Sequence, residues 1–426
     1  MERRLESTVS PQKGGAALRE LIVAGVGPGA EEQTTSAVRA VIRVADCVVA
    51  APRHLSLAEG HPNIITLGGF RTTFDKMEAQ EGSVVVLVSG DPGLYSLLPL
   101  LMRHFPGVPL RVLPGVSSLQ CLCAAVGETW QDAAVLSGHG RPLFAHRFLN
   151  TVERSRLTVL FCGEECSPRW ACEKLSEAVG DLGRRVEAAV GERLSYPDQR
   201  VTCGTPKELM SRDYDPLSLL LVRNPEPWIS PRHLRDVDFE RGNVPMTHGE
   251  VRAAILERLD LTPGTVLWDV GAGTGSVAAS AALDCPDSEV HAIECAPAAL
   301  ELIERNRTKF RLHNLTVHAG RVSSLIKELP VPTHVFIGGS GGELGDVLSS
   351  LADMKVPVRV LISAVTLGTL AKATALLSSD PWENLEAVQI AVSVSRPLGR
   401  NLLMAARNPV TLLCADSYPH SEEAGE

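Results

Sequence analysis

At 426 residues the chain exceeds the size at which one hydrophobic core usually divides, and two domains of roughly 200 residues each are expected. Hydrophobic residues make up 44% and charged residues 21%, and no apolar run reaches the roughly 18 residues that span a bilayer. A net charge of −9 and 4% aromatic residues argue against a protein that coats a polyanion or stacks bases.

Residues 1–20 are polar, without a signal peptide's apolar centre, so they read as a disordered leader of a cytoplasmic protein. From Leu21 to Arg223, short apolar runs alternate with amphipathic stretches. LIVAGV, DCVVAA, VVVLVS, LRVLP, AAVLS, LTVLF and LSLLLV predict strands of an α/β domain over 21–223. Three glycine turns follow strands here: Gly25-Val26-Gly27-Pro28-Gly29, Ser89 to Tyr95, and Pro114 to Ser118. Pro28 removes an amide that a pyrophosphate cradle would need, so a dinucleotide fingerprint is the wrong reading. Ligands of open α/β sheets bind at such strand ends, and the three turns are expected to line one cleft.

Prolines and charges break any periodicity over 224–245, which predicts a linker. A second α/β domain is expected over 246–413, with a parallel, doubly wound sheet. It runs from the helix HGEVRAAILERL through the strands TVLWDV, EVHAIE and LTVHAG to a late strand pair, AVQIAVSV and NLLMAA. Residues 414–426 read as a frayed tail. Its sharpest feature is the turn Asp269-Val270-Gly271-Ala272-Gly273-Thr274-Gly275. Position 276 is Ser, not the glycine of a dinucleotide motif, and Glu294 ends the next strand, where a carboxylate can accept ribose hydroxyls. That combination suits an adenosyl sulfonium ligand. The four-glycine run Gly338 to Glu343 opens onto the same crevice and offers backbone amides to a carboxylate. The ten cysteines show no zinc-type pairing, so reduced thiols and no metal are expected.

Val244-Pro245-Met246-Thr247-His248-Gly249-Glu250-Val251-Arg252, the Gly271–Gly275 turn, the GGSGGEL run and Ala406 to Val410 resemble the decarboxylating class I methyltransferases that act on precorrin-6B in cobalamin biosynthesis. The three N-terminal turns and Leu136-Ser137-Gly138-His139-Gly140-Arg141 resemble the tetrapyrrole methylases. In this order the halves are similar to the fused C(5,15)-methyltransferase family. The resemblance implies a class III fold of two α/β subdomains followed by a Rossmann-like class I fold, with one S-adenosylmethionine site in each half. It nominates Thr247, Gly271, Ala272, Gly273, Thr274, Gly275, Glu294 and Gly320 as donor contacts in the second half, and Gly90, Asp91, Leu94, Ser117 and Ser118, with Cys162 a further candidate, in the first. It also implies methylation at carbons 5 and 15, loss of an acetate carboxyl, and self-association of the C-terminal half.

An anionic tetrapyrrole needs cationic partners. Arg53, Arg71, His139 and Arg141 are candidates in the first half, and His248, Arg252, Arg321, Arg396 and Arg400 in the second, with His248 and Arg252 expected to orient substrate. Two other readings keep the glycine turns: an RNA (tRNA base) methyltransferase, and a non-enzymatic sensor or scaffold that binds the methyl donor.

Overall fold

The computed structural model describes residues 18–140, 142–229, 231 and 233–417. The first sheet consists of β1 (Leu18–Gly25), β2 (Cys47–Ala50), β3 (Ile64–Thr66), β4 (Gly82–Val88) and β5 (Leu110–Leu113), all parallel, in the order β3-β2-β4-β1-β5. Its central strands are covered on both faces, which is why CVVA and VVVLV read as unbroken apolar runs. Leu18 pairs with Gly82, so β1 begins inside the expected leader.

The second sheet holds β6 (Ala134–Ser137), β7 (Leu157–Phe161), β8 (Glu187–Glu192), β9 (Arg200–Gly204) and β10 (Ser218–Arg223), in the order β6-β7-β10-β8-β9. Only β6 and β7 are parallel; β10 enters antiparallel between β7 and β8.

The third sheet contains β11 (Val266–Val270), β12 (Glu289–Glu294), β13 (Leu315–Ala319), β14 (His334–Ile337), β15 (Val358–Ala364) and β16 (Trp382–Ile390). A separate hairpin, β17 (Ser393–Leu398) and β18 (Asn401–Ala406), then precedes β19 (Val410–Ser417). The order is β13-β12-β11-β14-β15-β19-β16. The expected parallel, doubly wound sheet is present over β13-β12-β11-β14-β15, and β19 adds an antiparallel part by running against both β15 and β16. The run AVQIAVSV is not one strand: AVQI stays in the sheet, and the chain leaves it at Ala391 to build the hairpin. The expected tail is also shorter, since Cys414 and Ala415 are buried in β19.

The stretch expected as a linker is packed rather than loose. Leu234 and Phe239 join the core beneath the third sheet, and Asn224 is fully buried with its amide on the carbonyls of Val152 and Glu153. Glu153 ties the two halves together. It accepts both carboxylate contacts from Arg185 at 2.9 Å, Nη1 of Arg311 at 2.7 Å and Nε2 of His313 at 3.2 Å. Asn150 adds a hydrogen bond to the Pro286 carbonyl at 2.9 Å. Among the described residues no helix is long and apolar enough to cross a membrane. All ten cysteines are free thiols, seven of them buried.

Candidate functional site

Two cavities open at the carboxyl ends of parallel strands, where α/β sheets bind ligands. The larger, about 950 Å³, lies above β11, β12 and β14. The glycine turn after β11 forms its floor, and three of its residues carry positive φ: Gly271 at 70°, Gly273 at 57° and Gly275 at 72°. A Cβ on Gly271 would lie 2.0 Å from the Gly339 carbonyl oxygen, so the turn and the four-glycine loop touch backbone to backbone. One on Gly273 would meet the Pro245 oxygen at 3.2 Å, which places the Pro245-Met246-Thr247 strap directly on the turn.

Carboxylates dominate this floor. Glu294 accepts the Gly273 amide at 2.9 Å and the Cys295 and Ala296 amides at 2.7 and 2.9 Å. Those bonds occupy three of about four lone-pair positions, so the ribose contact expected there has one acceptor position open without rearrangement. Asp269 is 1% exposed; its Oδ2 accepts the Ala278 amide at 2.9 Å and its Oδ1 has no protein partner. Burial, reinforced by the nearby Glu294 charge and opposed by the Ala278 hydrogen bond, pushes its carboxyl up to about 7. A buried, unpartnered carboxyl oxygen on the cavity wall fits a cationic ligand such as a sulfonium amino acid.

Of the residues nominated as donor contacts in this half, Thr247, Gly271, Ala272, Gly273 and Glu294 line this cavity. Thr274, Gly275 and Gly320 do not. Thr274 is buried beneath the turn with its carbonyl held by Asn306, and Gly275 starts the helix Ser276–Asp284 against Ile303. Gly320 stands one hydrogen bond behind Glu294, donating to its carbonyl at 2.8 Å.

Arg252 requires a correction. It is 2% exposed and donates to Asp236 Oδ1 at 2.9 Å, the Thr247 carbonyl at 2.6 Å and the Leu234 carbonyl at 2.7 Å. Its apolar neighbours pull the stem inward, the three acceptors engage the guanidinium, and it fastens the strap instead of facing substrate. His248 does line the cavity, with Nδ1 on Asp236 Oδ2 at 2.8 Å. Arg321 pairs with Glu343 at 2.9 Å, and Arg396 and Arg400 sit on the β17–β18 hairpin or its turn, so none of these three lines the cavity. A cation that sequence reasoning did not nominate does: Arg407, whose Nη1 also contacts Glu250 at 3.0 Å. It lies after the hairpin, and only the return of β19 into the sheet between β15 and β16 brings it here.

The second cavity, about 590 Å³, lies between the first and second sheets. The three N-terminal turns interlock around it. A Cβ on Gly115 would lie 2.3 Å from the Gly90 oxygen, one on Gly25 2.6 Å from the same atom, and the Gly90 amide donates to the Gly27 carbonyl at 2.8 Å. Gly90, Asp91, Leu94, Ser117 and Ser118 all line it, as do His139 and Cys162. Both Asp91 oxygens are engaged, accepting the amides of Gly93 at 2.8 Å and Gly115 at 3.1 Å, so Asp91 holds two turns together. Ser117 caps the helix Ser118–Ala125 in a reciprocal box with Gln120. Burial pushes the Cys162 thiol up, so it stands protonated on the cavity wall.

Arg53 lines this cavity, with Nη2 on Ser89 Oγ at 2.7 Å; Arg71 does not, and Arg141 falls outside the described residues. Three residues escaped sequence reasoning: His54, whose Nε2 lies 2.7 Å from Ser89 Oγ, and Arg103 and Arg193. Burial and the adjacent Arg53 push His54 down to about 4, so it is neutral at pH 7.

Comparison with known proteins follows the two halves. Residues 20–210 match the model for tetrapyrrole (corrin/porphyrin) methylases, and residues 238–416 match that for a precorrin methyltransferase domain. The chain is 30% identical over 360 residues to the precorrin-6Y C(5,15)-methyltransferase [decarboxylating] of Sinorhizobium sp, covering 81% of this chain and 84% of that protein. It is 36% identical over 182 residues to the cobalt-precorrin-6B C(15)-methyltransferase (decarboxylating) of Salmonella typhimurium, covering 42% of this chain and 94% of that one. A crystal structure of precorrin-6Y C5,15-methyltransferase from Geobacter metallireducens GS-15 is 31% identical with a TM-score of 0.42, over 44% of this chain and 99% of that chain. The names of the Sinorhizobium and Salmonella relatives accord with the corrin-pathway reading rather than the RNA-methylating or sensor readings.

Proposed function

The chain belongs to the family of the decarboxylating precorrin-6Y C(5,15)-methyltransferases, and from that premise we propose that it methylates precorrin-6B at carbons 5 and 15 and removes the ring C acetate carboxyl in cobalamin biosynthesis, acting in the cytoplasm. One observation carries the division of labour. Two separate cavities sit at strand ends in different sheets, each floored by interlocking glycine turns. S-adenosylmethionine supplies an electrophilic methyl group when bound in either.

In the C-terminal cavity the Gly271–Gly273 backbone and Thr247 shape the donor seat, Glu294 takes a ribose hydroxyl, and Asp269 faces the positive charge. In the N-terminal cavity Gly90, Leu94, Ser117 and Ser118 do the equivalent work, with Asp91 fixing the turns. Arg53, Arg103, Arg193 and His139 on one side, and Arg407 on the other, receive the carboxylates of the tetrapyrrole. Each half then holds a ring carbon in line with the methyl group, and positioning with exclusion of water provides most of the acceleration. The N-terminal half methylates carbon 5; the C-terminal half methylates carbon 15 and releases carbon dioxide.

We also propose self-association of the C-terminal half through the hairpin, where Leu398, Leu402 and Met404 are exposed and β17 and β18 pair only with each other among the described strands. Leu402→Lys should lower the mass measured by light scattering if that face is buried between copies, and an unchanged mass would remove this part.

Incubating the full chain with a precorrin-6B-type substrate and S-adenosylmethionine, followed by mass spectrometry, tests the main reading. Gain of two methyl groups with loss of one carbon dioxide is expected. An unaltered tetrapyrrole with methyl groups transferred to RNA would replace the reading.

A further inference from the structure

The C-terminal cavity contains a linked series of side chains that methyl transfer does not require. Arg252, buried, donates to Asp236 Oδ1 at 2.9 Å and to the carbonyls of Thr247 in the strap and of Leu234. Asp236 is thereby fixed with Oδ2 against His248 Nδ1 at 2.8 Å. Burial opposes charge on Asp236, but the hydrogen bonds from His248 and Arg252 outweigh it and hold the carboxyl below its ordinary value, so it is ionised at neutral pH. An ionised acceptor requires a proton on Nδ1, so Nε2 is the ring nitrogen that gains and loses the second proton, the one the imidazolium can give to a ligand. The ring stands at the N-terminus of the helix Gly249–Leu259, on the cavity wall, with its side chain 43% exposed.

We infer that His248 is the acid that protonates the carbon left behind when the acetate carboxyl departs, and that Asp236 is its positioning residue. The inference rests on the reading that this cavity is where carbon dioxide is lost. The bond between the methylene carbon and the carboxylate carbon breaks, carbon dioxide leaves, and the electron pair passes into the conjugated macrocycle. The pair returns to the methylene carbon as the proton on His248 Nε2 is transferred there, giving a methyl group. Water restores the proton to His248.

Other groups around the cavity serve less well. Arg407 is paired with Glu250 at 3.0 Å, and Glu294 is committed to three backbone amides. Asp269 is buried in the donor seat with one oxygen capping the helix Ser276–Asp284. The charged groups around His248 are Asp236, with Arg252 paired to it, and the other charged residues of the cavity wall, Asp269, Glu294 and Arg407, the last paired with Glu250.

The test uses the full chain with S-adenosylmethionine and a precorrin-6B-type substrate, following carbon dioxide release and carbon 5 methylation separately. His248→Gln should lower kcat for carbon dioxide release by about a hundred-fold or more, within the range for general acid catalysis, with carbon 5 methylation and donor binding unchanged. Added imidazole should partly restore release to His248→Gly. Asp236→Asn should lower kcat and move the alkaline limb of its pH profile to lower pH, because the imidazolium loses its anionic partner, and Asp236→Glu should recover part of both. A higher KM for His248→Gln with unchanged kcat would overturn the inference and leave His248 a substrate-orienting group. Loss of donor binding in His248→Gln with no rescue by imidazole would overturn it as well, making the series a structural brace. If the wild-type chain releases no carbon dioxide while transferring methyl groups, the reading beneath the inference fails with it.

Discussion

Gly271→Ala isolates the proposed C-terminal donor seat. The backbone at this position has φ of 70°, a conformation that costs an L-residue about 1–2 kcal/mol. The new Cβ would stand 2.0 Å from the Gly339 carbonyl oxygen and 2.8 Å from its carbon. Backbone atoms cannot rotate away, so the Gly338–Gly342 loop must move, and overpacking of this kind typically costs a further 1–3 kcal/mol, or roughly 2–5 kcal/mol in total. Displacing the turn also breaks the register in which the Gly273 amide meets Glu294 at 2.9 Å. Loss of two such polar contacts to a ligand, at about 1.5 kcal/mol each, corresponds to roughly a hundred-fold in affinity. Calorimetric titration of the full chain with S-adenosylhomocysteine should therefore fall from two sites to one. Gly339→Ala, whose Cβ would meet nothing within 4 Å, should keep both and serves as the control. Two sites of unchanged affinity in Gly271→Ala would refute the steric reasoning.

Asp269 gives a pH signature. Its folded value of about 7 lies above the ordinary 3.8, so between those values the folded chain holds a proton that the unfolded chain has lost, and this group's contribution to stability declines as pH rises through the window and is level above it. Asp269→Asn should remove that slope from denaturant titrations, and in the wild type a cationic donor should bind the C-terminal site more tightly as pH rises through 7. Glu153 has the opposite sign: burial opposes its charge, yet bonds from His313, Arg185 and Arg311 hold its carboxyl below the ordinary value, so its stabilisation is present above that value and lost as pH falls through the folded one. Glu153→Ala should cost about 3–5 kcal/mol by leaving three donors around an empty position, and calorimetry should show the two halves melting further apart. Glu294→Ala should weaken the C-terminal donor site by at least about tenfold, one hydrogen bond to a charged group, and leave the N-terminal site unaffected.

The glycine turns of the two proposed donor seats were legible because their geometry is local. A glycine needing positive φ, as at Gly271 or Gly273, and an acidic residue ending the following strand lie within one βαβ unit. The sheet's antiparallel edge was not legible, because the place of β19 between β15 and β16 depends on pairings that no local period encodes. For the same reason Arg407 was overlooked. Arg252 misled in the reverse sense: a cation on a polar helix beside a crevice reads as substrate-facing, yet the carbonyls of Leu234 and Thr247 and the Asp236 carboxylate converge on it from the folded-back segment. Asp236 lay in a stretch without periodicity, and only Phe239 and Leu234 entering the core bring it to His248.

Rapid-quench single turnovers of two complementary variants test the central claim that the chain carries two independent transfer sites. Gly271→Ala disables the C-terminal seat, and Gly115→Ala, whose Cβ would lie 2.3 Å from the Gly90 oxygen, disables the N-terminal one. With isotopically labelled S-adenosylmethionine, the first should gain a single methyl group at carbon 5 and keep its carboxyl, and the second should gain one at carbon 15 and release carbon dioxide. Retention of both methylations by either variant, or loss of both in each, would contradict it.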